Sequence, residues 1–126
     1  MSVVLDSSAL LAFIQAEPGG EAVAGVVGEA LMSSVNLAEV ITKLVERTGS
    51  LEIARTALGM ASVDVVDFDR SQAEQAGLLV KTTRSHGLSL GDRACLALAM
   101  RESAPLLTVD RIWAKLKINV EVRLIR

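Results

Sequence analysis

The sequence predicts an α/β fold, a three-layer α/β/α sandwich around a central, mostly parallel sheet of roughly four to five strands. Three observations carry that expectation. Short apolar β-type runs alternate along the chain with stretches of helical spacing. A helical segment between successive strands makes each connection a crossover, and crossovers join parallel neighbours. No linker, repeat or low-complexity tract breaks the pattern, and 126 residues suit one domain spanning residues 1–126.

Taken in order, residues 2–5 form a buried strand that ends at Asp6, and a helix follows over 8–16. Glu17, Pro18, Gly19 and Gly20 end that helix, since proline and paired glycines cannot continue it cheaply. Residues 21–30 form an apolar helix and 31–34 a short second strand. Asn36 opens the helix 37–48, which Gly49 ends; a further helix covers 51–60 and the third strand 63–68. A long helix over 71–85 stops at Gly87. Residues 92–103 form a dense apolar helix, and Pro105 precedes the strand 106–109. Asp110 opens a short helix through Lys115, and residues 120–125 close as a strand.

Composition narrows the chemistry. The chain has one His, one Cys, one Trp, two Phe and no Tyr. Zinc sites built on several Cys or His ligands are therefore excluded within one chain. Cys95 has no partner for a disulfide, and any catalytic triad would run through His86 alone. So few aromatics also argue against a surface that stacks successive bases. Chemistry is left to carboxylates, hydroxyls and a hard metal ion.

The chain is 51% hydrophobic, with a mean hydropathy of +0.43. Its longest charge-free stretch, residues 7–16, is too short to span a membrane, and no basic segment precedes an apolar run as in a secretory signal. A cytoplasmic globular protein is expected. The apolar excess points to a partner or a homodimer, or else to an Ala- and Val-rich core. Residues 1–69 carry three Lys/Arg against ten Asp/Glu, and residues 70–126 ten against five. That asymmetry points to an anionic partner on a second-half face, unless the fold interleaves the halves and mixes the charges.

Four acids fall where an α/β sheet places ligands, outside the carboxyl ends of its strands. Asp6 directly follows the first strand, and Asp110 directly follows the strand 106–109. Glu39 lies in the first turn of the helix after the second strand, and Asp92 at the start of the helix through Ser103. Each also reads as a cap: Asn36 with Glu39 and Ser89 with Asp92 have capping-box spacing, and Asp6 and Asp110 suit N-caps. Capping does not require four acids to converge. Crowded carboxylates must take up protons or recruit a cation, and Mg²⁺ or Mn²⁺ prefers such oxygen ligands.

The runs Asp6-Ser-Ser-Ala-Leu-Leu-Ala, Asn36-Leu-Ala-Glu-Val, Leu90-Gly-Asp-Arg-Ala-Cys-Leu-Ala-Leu-Ala and Leu107-Thr-Val-Asp-Arg-Ile-Trp resemble the successive motifs of PIN-domain ribonucleases. Among these the chain is most similar to VapC toxins of bacterial toxin–antitoxin pairs. Each motif alone is weak, but four in order across the chain are specific. The resemblance implies a Mg²⁺-dependent endoribonuclease, with Mn²⁺ as a substitute, that hydrolyses RNA by a metal-activated water. It also implies a VapB-type antitoxin as inhibitor, a homodimer, no membrane association and no DNA binding without the antitoxin. Carried over, Asp6 and Asp92 would be the principal metal ligands, directly or through water. Glu39 and Asp110 would complete the acidic pocket, helping to hold a second metal or orient the attacking water. Thr108, two residues before the last acid, would support the ligands by hydrogen bonding, and Ser7 would do the same or simply start its helix.

Other residues read more plainly. His86 sits at a helix end, Cys95 is a small buried hydrophobe, and Trp113 is a packing anchor. Arg93 and Arg111 each follow a site acid and either steer phosphates or stand solvated at helix starts. Two other phosphoryl-transfer arrangements are disfavoured. Ser8 stands where a haloacid-dehalogenase-like phosphatase needs its second acid, and Lys115 is poorly placed for a receiver-type lysine. The non-enzymatic alternative is an α/β interaction module whose acids are helix caps.

Overall fold

Val3 and Leu5 enter one apolar core, while Val4 between them enters another. The same alternation sends Ala30 and Met32 one way and Leu31 the other, and it separates Leu106 from Leu107. Successive side chains of an extended strand point to opposite faces, so a sheet covered on both sides builds two cores. In the computed structural model, which describes residues 1–126, that sheet has five strands.

The elements are β1 (Val3–Leu5), α1 (Ser7–Ile14), α2 (Gly20–Ala24), β2 (Ala30–Ser33), α3 (Ser34–Thr48), α4 (Leu51–Gly59), β3 (Asp64–Val66), α5 (Arg70–Leu78), α6 (Val80–Thr83), α7 (Leu90–Glu102), β4 (Leu106–Thr108) and β5 (Val122–Leu124). Turns of 3-10 helix cover Val27–Glu29, Arg84–His86 and Arg111–Lys115. The strand order is β3-β2-β1-β4-β5, and every pairing is parallel. Val4 pairs with both Leu31 and Leu106, which puts β1 at the centre. The predicted α/β/α sandwich is the observed fold.

From β1 the chain moves outward through β2 and β3, then crosses back to place β4 on the other side of β1. The strand order therefore reverses between β1 and β4. Such a switch point opens a crevice at the strand carboxyl ends, because the helices that follow the two strands depart to opposite faces. Helices α1–α4 supply the core on one face, and α5 and α7 supply the other. The two halves of the chain thus cover different faces of the sheet, but their charges meet where they join: Asp69 pairs with Arg101 and Glu17 with Arg126.

Helix α7 is buried from Ala94 to Ala99 without interruption, as expected of a helix enclosed on all sides. It packs on the sheet and against both α3 and α5, and alanines at 94, 97 and 99 permit that close approach. This enclosure holds its first turn, with Asp92, against α3.

Several boundaries differ from the sequence expectation. The helix expected over 21–30 stops at Ala24, and Ala30 joins β2. The long helix over 71–85 breaks into α5, α6 and a 3-10 turn. There the Thr82 and Thr83 hydroxyls donate back to the Leu79 carbonyl, at 3.2 and 2.8 Å, which competes with regular helical pairing. Helix α3 begins at Ser34 under a Ser33 cap, so Asn36 lies inside its first turn and does not open it. Helix α7 begins at Leu90, not at Asp92. Ser89 caps it, with Asp92 reaching back to the Ser89 amide in a capping box. Ser89→Ala is expected to lower stability by about 1 kcal/mol in urea unfolding, since the cap hydroxyl satisfies an otherwise unpaired amide.

Candidate active site

Helices α1, α3 and α7 and the 3-10 turn after β4 all begin at the carboxyl ends of the strands. Each brings one acid. Asp6 caps α1, Asp92 lies in the first turn of α7, and Asp110 caps the 3-10 turn. Glu39 lies in the second turn of α3, not the first as expected, because α3 begins at Ser34. Asp6, Glu39, Asp92 and Asp110 line a single cavity of about 320 Å³, together with Ser7, Ser8, Asn36, Val109 and Trp113. A larger cleft of about 550 Å³ runs between α5 and α7, but it gathers no comparable set of carboxylates. All four predicted acids and Ser7 therefore meet. Thr108 lies buried beside them.

Asp6 is buried and holds its surroundings together. Its Oδ1 accepts from the Ala9 amide at 2.8 Å and from the Ser8 hydroxyl at 2.7 Å. Its Oδ2 accepts from the Thr108 hydroxyl at 2.6 Å. Thr108 in turn accepts from the Asp110 amide at 3.1 Å, so one hydroxyl ties the end of β1 to the segment after β4. Ser8 also accepts from the Val109 amide at 3.2 Å, adding a second tie across the same switch point.

The other acids each commit one oxygen to the protein. Asp92 Oδ2 accepts from the Ser89 amide at 2.9 Å, and Asp110 Oδ1 accepts from the Ile112 amide at 3.0 Å. Glu39 Oε1 accepts from the Ser7 hydroxyl and, at 2.9 Å, from the side-chain Nδ2 of Asn36. Asp92 Oδ1, Asp110 Oδ2 and Glu39 Oε2 have no protein partner. The caps anticipated for Asp6, Asp92 and Asp110 are real, and each leaves acceptor capacity unused. The cap anticipated for Asn36 with Glu39 is not formed, because Ser33 has taken that role and Asn36 faces Glu39 as a donor.

Burial and mutual repulsion set the electrostatics. Burial pushes the Asp6 carboxyl up from the usual 3.8 to about 6, against the lowering effect of its three hydrogen bonds, and the Asp92 charge adds to the rise. Asp92 is also raised, mainly by burial and further by the charges of Glu39 and Asp110. Burial pushes the Cys95 thiol well above its ordinary value, and the charges of Asp6, Asp92 and Glu39 push the same way. Cys95 is therefore no nucleophile, as the sequence suggested.

No three His, Cys, Asp or Glu side chains stand around one point in a ready-made cage. A hard divalent cation of the Mg²⁺ type does not need one, since it binds through about one or two carboxylates and keeps several waters. The donor set fits such an ion. It offers only oxygen, carries excess negative charge and leaves carboxylate oxygens free on three different segments. The side-chain Oδ1 of Asn36 is buried without a partner in the wall of the same cavity.

Sequence reasoning missed three contributors. Ser8 entered only as an absent acid, Asn36 as a cap and Gly91 not at all. A Cβ on Gly91 would fall on the Glu39 carboxyl group, 2.6 Å from its Cδ. Glycine at a helical position in front of Asp92 was the available signal. Arg93 departs from the solvated reading: its Nη1 donates to the Ala76 carbonyl at 2.8 Å near the end of α5, and its Nε is buried. Arg111 is exposed beside Asp110. Trp113 is buried in the second core, as anticipated, and His86 closes the turn Arg84–His86 away from the cavity.

A family model described as the PIN domain matches residues 3–119. The structure superposes on DNA-bound VapBC from Salmonella typhimurium with a TM-score of 0.79 at 18% identity, covering 100% of this chain and 99% of that one. It superposes on VapBC2 from Rickettsia felis, bound to a DNA fragment from the promoter, with a TM-score of 0.76 at 18% identity, covering 98% of each chain. For VapC20 from Mycobacterium tuberculosis, a sarcin–ricin-loop-cleaving toxin, the TM-score is 0.73 at 19% identity, covering 94% of this chain and 98% of that one. No curated protein matches the sequence. At these identities the superpositions speak for the fold, and the family match covers nearly the whole sequence: the chain belongs to the PIN-domain family.

Proposed function

We propose that this chain is a Mg²⁺-dependent endoribonuclease, also served by Mn²⁺, acting as the VapC-type toxin of a toxin–antitoxin pair. The observation that carries the reading is the convergence of Asp6, Glu39, Asp92 and Asp110 on one cavity at the β1/β4 switch point. Four carboxylates there repel one another and an RNA backbone alike, so the arrangement makes sense as a cation site. A bound divalent cation lowers the pKa of water and clamps phosphate oxygens during in-line displacement.

The chain's own groups have distinct parts in this account. Asp6 and Asp92 would hold the cation, directly or through water; Asp6 Oδ2 receives one hydrogen bond only. Glu39 and Asp110 would complete the acidic pocket, adding charge for the cation or orienting the attacking water, whose proton one of the two carboxylates would accept. Thr108 and Ser8 fix Asp6, and Ser7 fixes Glu39. Arg111, exposed at the rim, attracts the phosphate backbone. With Trp113 buried, RNA is held by charge and shape and not by stacked bases. Arg111→Glu is expected to raise the KM for RNA about tenfold at low salt with kcat little changed, and rising salt should shrink the difference.

The three neighbours described above are VapBC assemblies or a VapC toxin, which supports a VapB-type antitoxin as partner. A homodimer and a cytoplasmic site of action belong to the same reading. No helix is long and apolar enough to cross a membrane. Expression of the wild type without antitoxin is expected to arrest growth and generate discrete new RNA ends, and Asp92→Asn is expected to do neither.

One observation favours the second reading, a non-catalytic interaction module: Asp6, Asp92 and Asp110 do cap helices. Such a module predicts that Mg²⁺ and Mn²⁺ leave the melting temperature untouched. A cation site predicts stabilisation that grows with cation concentration by mass action.

A further inference from the structure

Gly91 occupies the second position of α7, yet its backbone does not call for glycine. The residues with left-handed φ among the glycines are Gly19, Gly49 and Gly87. In a helix, glycine is less stable than alanine. Space accounts for it instead. A Cβ at Gly91 would fall on the Glu39 carboxylate, nearest Oε2, and would lie 2.6 Å from Cδ and 2.7 Å from Oε1, closer than a side-chain carbon approaches.

Asn36 completes the arrangement. It is 1% exposed, and its Nδ2 donates to Glu39 Oε1 at 2.9 Å and to the Gly91 carbonyl at 3.0 Å. Both partners accept only, so the amide has one workable orientation, nitrogen toward them. Its Oδ1 is left buried without a partner, a cost that an apolar side chain would avoid. Ser7 donates to the same Glu39 oxygen. The hydrogen bonds fall on Oε1 alone, while Oε2 accepts none and is the carboxylate atom nearest the space a Gly91 Cβ would fill.

We propose that Asn36 and Gly91 form a positioning pair that holds the Glu39 carboxylate against the first turn of α7, beside Asp92, so that two like charges stand ready for one cation. The proposal rests on the reading of the cavity as a cation-dependent nuclease site. Glutamate is flexible, and repulsion from Asp92 would swing it away. Asn36 ties it to the peptide that immediately precedes Asp92, and the missing Cβ of Gly91 lets it come close. Neither residue touches substrate; both act through Glu39.

The test measures Mn²⁺ binding, by electron paramagnetic resonance of the free ion, alongside steady-state RNA cleavage and melting in chelator. Asn36→Ala and Gly91→Ala are each expected to weaken Mn²⁺ binding at least tenfold and to lower kcat at unchanged KM for RNA. In chelator, Gly91→Ala is expected to melt no lower than the wild type. Glu39→Asp, which withdraws the carboxylate, should cost several-fold less Mn²⁺ affinity in the Gly91→Ala background than in the wild type, because it returns the space the methyl group takes. Asn36→Ala adds no atoms and decides the matter if Gly91→Ala does not fold. Wild-type Mn²⁺ affinity and kcat in the folded variants would overturn the pair while leaving the nuclease reading intact. A wild type that binds no Mn²⁺ would overturn both.

Discussion

Asp6→Asn is expected to abolish RNA cleavage, by about a thousandfold or more, while making the cation-free protein more stable at pH 7.5. The opposite signs have one cause. Asp6 is buried, and its carboxyl titrates near 6 in the folded protein instead of 3.8. Below pH 3.8 both folded and unfolded states carry the proton, so burial involves no charge. As the pH rises from 3.8 to about 6 the unfolded chain ionises first, and stability falls. Above that window the loss is complete, at about 3 kcal/mol from a shift of about 2 units. Asparagine keeps an oxygen for the Ala9 amide and the Ser8 hydroxyl, and its amide nitrogen donates to Thr108 once that hydroxyl turns. A gain of about 1–3 kcal/mol is expected in urea unfolding at pH 7.5, vanishing near pH 3.5. Equal or lower stability of the variant at pH 7.5 would contradict the assigned role of burial.

Thr108→Val is expected to act in the other direction on stability and to shift the pH dependence of cleavage. The side chain is fully buried, and valine matches its shape. The substitution removes the donor to Asp6 Oδ2 at 2.6 Å and the acceptor for the Asp110 amide at 3.1 Å. A hydrogen bond to a buried charge contributes about 1.5–3 kcal/mol, and stability near pH 7.5 should fall by about 2 kcal/mol. Loss of this lowering contact raises the Asp6 carboxyl beyond about 6. The acid limb of the rate profile should therefore move to higher pH, with activity recovering partly on the alkaline side. A profile superposable on the wild type would show that Thr108 does not act through Asp6.

The four acids were legible because strand ends and helix starts announce themselves locally. Asp6 and Asp110 follow apolar runs directly, and Ser89 with Asp92 has the spacing of a capping box, which the structure contains. Parallel topology then sends these ends to one side of the sheet, which is why a local pattern predicted a non-local cluster. Asn36 was misread because Asn caps helices as readily as Ser, and the helix starts earlier, at Ser34. Ser8 left no local trace of its role, and Gly91 only the oddity of a glycine at a helical position before Asp92. The reason for Ser8 is the Val109 amide, and the reason for Gly91 is the carboxyl of Glu39, both distant in sequence. The break in the helix over 71–85 depended on which threonine hydroxyls turn back to Leu79, a competition that periodicity does not register.

Cleavage of RNA by the purified chain, followed in Mg²⁺ and then in excess chelator, tests the central claim most directly, with Asp92→Asn run in parallel. The account predicts discrete cleavage by the wild type in Mg²⁺, none in chelator, recovery when Mg²⁺ is restored, and none from Asp92→Asn under any of these conditions. Undiminished cleavage in chelator, wild-type activity in folded Asp92→Asn, or no cleavage of any RNA in Mg²⁺ or Mn²⁺ would contradict it.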